Sequence, residues 1–211
     1  MTSGNKTGLL DILRRGDLAV VGLGALLLLV GWVVRSSHID RTERHRFGAA
    51  SLVTPAGWVS MPAEDGRQVL ADVLVADTFK PRVTVSMERL PKTMQLGGRS
   101  RKARELESYV ALNLQSTLNL YHPIASKALT LAGRRAVRLD YAHAVNPAAR
   151  PDDPAATDIP VAVRATTLAV LVGGGRLLRV SVEQSVAQHD RRPGLADRVI
   201  ASIELSREVK P

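Results

Sequence analysis

The residues able to do chemistry in this chain are few and scattered. Its five histidines, His38, His45, His122, His143 and His189, fall at no HxxxH or HExxH spacing, so no pair of imidazoles shares a helical turn for zinc. Asp140 and His143 lie three apart in a segment of strand period, and an odd separation sends them to opposite faces. Asp140, His189 and a serine would form a hydrolytic triad only by convergence in space, because the GxSxG turn that exposes a serine nucleophile is missing. The glycines at 173, 174 and 175 are not followed by the lysine and hydroxyl of a phosphate loop. They read as a hairpin turn. The acidic pairs Glu64-Asp65 and Asp152-Asp153 sit in proline-flanked stretches, where solvated turn residues are the ordinary explanation. With no cysteine, thiol catalysis, disulfides, thiolate zinc sites and a lipid-bearing cysteine all fall away. No catalytic residue, metal site or cofactor is expected.

The densest chemical feature is cationic. Arg89, Lys92, Arg99, Arg101, Lys102 and Arg104 occur with no acidic residue between Arg89 and Arg104. Several would stand at the positive end of a following helix, where the dipole opposes each by roughly a few tenths of a kcal/mol. Such a run is either a solvated face or a contact for anionic lipid headgroups or an acidic partner subunit. The formal charge of the whole chain is +9, which suits an anionic bilayer surface. Nucleic acid fits less well, since aromatic residues make up only 3% of the chain and stacking platforms are scarce.

The element that would carry the rest is LAVVGLGALLLLVGWVV, from Leu18 to Val34, free of charge and of proline. As a helix it would span about 25 Å, slightly under a hydrocarbon core of about 30 Å. Leu18, Leu26 and Leu29 supply apolar surface, Trp32 sits at interface depth, and Arg14, Arg15 and Arg35 can reach headgroups. A transmembrane helix is therefore expected, with a buried core helix as the alternative. Basic residues flank both ends, so charge does not set the orientation. The short basic leader before an apolar run has the form of a signal anchor, and no small-x-small cleavage site follows closely. The expectation is an inner-membrane protein with a cytoplasmic N-terminus and an extracytoplasmic domain.

The chain accordingly divides into a tail (1–17), the spanning segment (18–34), a charged linker (35–46), one domain (47–205) and a polar tail (206–211). In the domain, Ala50 to Thr54 and Trp58 to Met61 read as strands about a Pro55-Ala56-Gly57 turn. Trp58 reads as a core residue. Gln68 to Ala76 follows, and Val83, Val85 and Met87 alternate with polar residues in strand period. Leu106, Val110, Leu114 and Leu118 define one face of a helix from Ser100 to Leu120 that His122-Pro123 ends. Strands are expected from Lys127 to Leu131, from Ala136 to Val145, from Ile159 to Val172 and from Arg176 to Val186. A long loop fills 146–158, and Pro193 opens a last helix with Leu195, Val199 and Ile203 inward.

This order of pieces, with P-A-G-W at 55–58, G-R-R-A-V-R-L-D-Y at 133–141, L-L-R-V-S-V at 177–182 and a closing helix ending in A-S-I, resembles the DcrB-like and PsbP-like proteins of the Mog1/PsbP fold. The resemblance implies an α+β domain, an antiparallel sheet of about six to seven strands with helices on both faces. It also implies non-catalytic work as an accessory, binding or stabilising subunit of a membrane or envelope complex, with a protein partner and the lipid bilayer as its contacts. Two other readings compete with it: an envelope hydrolase or ligand-binding enzyme using His143 or His189, and a basic adaptor or chaperone domain facing the cytoplasm.

Overall fold

The computed structural model describes residues 20–33, 41–48, 50–61, 67–73, 75, 78–91, 101–146 and 160–206, the side chains of 101–103 excepted. The chain divides into two compact units, Met1–Thr42 and Glu43–Pro211. In the first, helix α1 covers residues 20–33, and each of these residues is exposed. Leu26, Leu29 and Trp32 are 57%, 61% and 69% exposed. At the α-helical rise this stretch covers about 21 Å. Among the described residues no helix is long and apolar enough to cross a membrane. Leu18 and Val34, the ends of the expected span, lie outside the described residues.

The second unit is α+β. Its elements are β1 (Thr42–Phe47), β2 (Ala50–Pro55), β3 (Trp58–Met61), β4 (Gln68–Asp72), β5 (Arg82–Arg89), α2 (Arg101–Thr117), β6 (Asn119–Leu131), β7 (Arg134–Val145), β8 (Val161–Gly173), β9 (Arg176–Ser185), α3 (Val186–Arg191), α4 (Leu195–Ala201) and β10 (Glu204–Leu205). Seven strands form an antiparallel sheet in the order β3-β4-β5-β9-β8-β7-β6, and β1-β2-β10 form a smaller one. Strand alternation gives the large sheet two apolar faces. On one, Val137, Leu139, Tyr141, Ala165, Ala169 and Leu177 pack under Leu106, Val110 and Leu114 of α2. On the other, Val83, Val85, Leu168, Val170, Leu178 and Val180 meet Leu52 of the small sheet and Leu195, Val199 and Ile203 of the closing helical segment. Helices thus lie on both faces, as the resemblance implies.

Several local expectations are corrected. Residues 42–46, read as linker, belong to β1, because partners wait for its charged side chains: Arg44 makes a bidentate contact with Glu204 at 2.5 and 3.2 Å, and His45 Nε2 lies 2.9 Å from Thr54 Oγ1. The turn after Pro55 does not close a hairpin within one sheet. Gly57, at φ +87°, lets the chain leave the small sheet and enter the large one, where Trp58 pairs with Asp72. The helix ends at Thr117, and His122-Pro123 lies inside β6. Strand β6 is at the edge of the sheet and its register shifts on either side of Pro123, so a residue without an N–H is tolerated there. The closing helix is preceded by α3, whose Ser185-x-x-Gln188 capping box is a sequence signal that was overlooked.

The β8–β9 hairpin turns on Gly174 and Gly175, both at positive φ, as the three-glycine run predicts. The equivalent β6–β7 turn uses Ala132 at φ +48° before Gly133. An L-residue carrying a Cβ is strained in that region by about 1–2 kcal/mol. Ala132→Asn, which makes the turn Asn-Gly, is expected to stabilise the protein by about 0.5–1 kcal/mol in chemical denaturation. Leu106→Ala, at a side chain 1% exposed, is expected to cost about 2–5 kcal/mol. Leu112→Ala, on the 64% exposed face of the same helix, should cost under about 0.5 kcal/mol.

Candidate functional site

A polar row runs across the large sheet beneath α2. Tyr141 and His143 leave β7 on the same face, their rings 5.8 Å apart, and the Tyr121 ring packs against Tyr141 at 5.3 Å, tilted by 44°. The Tyr141 hydroxyl lies 3.1 Å from Thr167 Oγ1, which lies 2.8 Å from Ser181 Oγ, linking β7, β8 and β9. Arg82 of β5 donates from Nε to Glu183 Oε2 at 2.6 Å, and the other oxygen of Glu183 is 3.8 Å from His143 Nε2. The side chains of His143 and Glu183 are only 1% and 9% exposed. Burial pushes the His143 imidazole below its ordinary pKa, against the pull of Glu183, and pushes the Tyr141 phenol well above its own. His143 therefore rests neutral beside a carboxylate already engaged by Arg82. Neither of its ring nitrogens makes a well-formed hydrogen bond among the described residues. The row is an interior layer that fixes four strands in register, and it lines none of the three cavities below.

The other residues singled out for chemistry do not assemble with it. Asp140 points to the opposite face, as its odd spacing from His143 predicts, and accepts from Thr166 at 2.6 Å and Arg138 at 3.0 Å. His189 lies in α3, in the turn that also carries Arg191. Among the described residues no group of three metal-binding side chains occurs. In the basic run, Arg89 and Arg104 are exposed, Arg101 and Lys102 start α2, and Lys92 and Arg99 lie outside the described residues.

The structure gathers a different set of cations. Arg44 and Arg46 of β1 and Arg67, just before β4, line an open groove of about 550 Å³ together with His45, Phe47 and Met61. Arg44 and Arg46 also border a second groove of about 320 Å³ beside Glu204. Arg44 is matched by Glu204, whereas Arg46 and Arg67 are exposed and form no ion pair among the described residues. Sequence reasoning missed this edge because Arg44 and Arg46 were assigned to a linker. The alternation of Arg44 and Arg46 with His45 and Phe47 was the available signal.

A third cavity, of about 130 Å³, lies on the face of the sheet opposite the polar row, between the ends of β3, β4 and β9 and the start of α4. Trp58 and Gln184, 4% and 2% exposed, are in its lining. Arg192 approaches Asp72 to 3.6 Å at its rim, and Gln188, which caps α3, donates to the Phe79 carbonyl at 2.6 Å.

No protein-family model matches the chain, and no curated protein matches it. Solved structures do. The cyanobacterial PsbP protein CyanoP of Synechocystis superposes with a TM-score of 0.51 at 16% identity, over 79% of this chain and 94% of that one. The domain has the PsbP-like fold. The Ran-binding protein Mog1p of Saccharomyces cerevisiae (TM-score 0.48, 10% identity, 78% of this chain and 95% of that one) aligns with the PsbP-like domain less closely. So does LpqN of Mycobacterium tuberculosis, described as involved in cell envelope biogenesis (0.49, 12% identity, 79% and 91%). At these identities the likeness is one of fold alone.

The buried imidazole of the PsbP-like domain makes stability depend on pH. The folded state holds the His143 pKa below the ordinary value of 6.5. Protonation therefore favours the unfolded chain, and the stability present above pH 6.5 falls as the pH drops from there towards the folded-state value. The expected loss is up to about 1.4 kcal/mol per pH unit in that window. His143→Phe, which keeps a ring against Tyr141 but cannot titrate, is expected to flatten the profile of unfolding midpoint against pH between about pH 7 and pH 5.

Proposed function

We propose that this protein is a non-catalytic accessory subunit, held at the membrane by its apolar N-terminal segment, whose PsbP-like domain docks on a protein partner beside the bilayer. The observation that carries the reading is α1, an uncharged helix whose residues 20–33 are all exposed, within an apolar stretch that extends in sequence from Leu18 to Val34. A rod of this composition gains free energy only when lipid or protein covers it. The signal-anchor form of the N-terminus supports a cytoplasmic tail and an extracytoplasmic domain. The exposed Arg46 and Arg67 support a role for the β1–β4 edge in meeting anionic headgroups or an acidic partner surface. That the His143 and Glu183 side chains are buried, while Asp140 is engaged on the other face, supports docking over hydrolysis.

Three measurements check this reading. After carbonate extraction the intact protein is expected in the membrane pellet, and deletion of residues 18–34 should move it to the supernatant. Recovery of the full chain in the supernatant removes the anchor. A C-terminal alkaline phosphatase fusion should be active and a green fluorescent protein fusion dark, and the reverse pattern places the domain in the cytoplasm. Finally, Arg46→Glu with Arg67→Glu is expected to lower binding of the domain to anionic vesicles at least about tenfold, with the wild type losing affinity steeply as salt rises. Equal binding by both proteins dismisses the groove.

A further inference from the structure

Two residues in the wall of the cavity beside Trp58 carry donors that no described residue satisfies. The indole Nε1 of Trp58 and the amide Nε2 of Gln184 are buried and have no hydrogen-bond partner among the described residues. The indole can only donate, so whatever completes this site must bring an acceptor. Two buried donors left unmet are costly to a folded protein, and native interiors seldom keep them so. Both residues line the same cavity of about 130 Å³. They reach it from different strands: Trp58 begins β3 opposite Asp72 of β4, and Gln184 lies near the end of β9 opposite Arg164 of β8.

The rest of the lining states what kind of acceptor fits. Pro55, Val75, Pro81 and Leu195 give apolar walls, and Arg191 and Arg192 stand at the rim. Asp72 is the acidic residue of the lining, 10% exposed at its side chain, and Arg192 faces it at 3.6 Å. That pairing leaves the charge of Arg191, which is exposed and forms no ion pair among the described residues, for an incoming anion. The volume holds about four waters, or a group of a few non-hydrogen atoms. We infer that this cavity is a binding site for a carboxylate on a short aliphatic chain, its oxygens accepting from Trp58 Nε1 and Gln184 Nε2, its apolar part against Val75 and Leu195, and Arg191 supplying the charge. Such a carboxylate belongs either to a free small acid or to the C-terminus of a polypeptide ending in an aliphatic residue. The proposal is independent of membrane docking, since it concerns another part of the domain.

The chain provides its own probe, because it has two tryptophans, Trp32 and Trp58. A Trp32→Phe variant therefore shows one indole N–H resonance, from the cavity. Titrating it with isobutyrate, with a short peptide ending in valine, and with the same peptide amidated is expected to shift that resonance downfield, saturably, for the free acid or the free C-terminus, at a Kd of about 1 mM or tighter. A shift with isobutyrate assigns the small acid as sufficient. A shift only with the free-carboxylate peptide assigns the polypeptide source. Gln184→Leu is expected to weaken binding at least tenfold, and the surface change Arg191→Ala to weaken it severalfold without altering the unfolding midpoint. An indole resonance that no carboxylate moves, or that exchanges only with a buried water, overturns the proposal. An amidated peptide or isobutyramide binding as well as the acid overturns the assignment to a carboxylate.

Discussion

Strands β8 and β9 bury both of their faces, and most of the architecture follows from that requirement. Alternate side chains of β8 feed two separate cores, Ala165 and Ala169 one way and Leu168, Val170 and Val172 the other. A single helix can cover one side of such a sheet. The opposite side needs a second layer, which is built from β1, β2, β10 and α4. The domain therefore puts its own first and last elements on the same face and its middle helix on the other. The most continuously apolar stretch of the domain, at 161–172, is the sequence trace of this demand, because a strand covered twice has no solvent face on which to place polar residues.

Polar groups inside this sandwich are held in two ways. Beneath α2, hydroxyls and an ion pair satisfy one another across four strands, and Asn113 of α2 accepts from Arg179, which in turn reaches Glu88 at 3.1 Å. This network fixes register, since a slip of one residue in β7, β8 or β9 would drive that strand's member of the row, Tyr141, Thr167 or Ser181, to the opposite face. Across the sheet, Trp58 Nε1 and Gln184 Nε2 have no hydrogen-bond partner among the described residues. Each face nonetheless keeps buried atoms without a hydrogen bond among the described residues, the His143 ring nitrogens and Arg179 Nε on the α2 side and Trp58 Nε1 and Gln184 Nε2 on the other.

Much of this was legible in the residues. The four-residue spacing of Leu106, Val110 and Leu114 gave the helix and its buried face, the parity of Val137, Leu139 and Tyr141 gave one face of β7, and the glycines gave the β8–β9 turn. What stayed hidden depended on partners distant in the chain. Only the alternation of Arg44 and Arg46 with His45 and Phe47 marks Thr42–Phe47 as a strand locally, and its charged side chains are explained by Glu204 and Thr54 on elements that pack there only after folding. Pro123 looked like a stop because its tolerance depends on β6 being an edge, a property of the sheet rather than of the segment. The Arg44–Arg46–Arg67 groove is hidden for the same reason, because Arg67 joins Arg44 and Arg46 only in the folded domain. The opposite orientations of Asp140 and His143, by contrast, needed only the strand period.

The pairing of β2 with β10 and the Arg44–Glu204 contact, 160 residues apart, join the two ends of the domain in one small sheet. Closing so long a loop is entropically slow and brings no reward until the very last strand is available. The first strands of the domain must therefore wait for β10, the last of its elements, before the small sheet can close. Loss of Glu204 and Leu205 would therefore undo the layer that the N-terminal strands of the domain help to build.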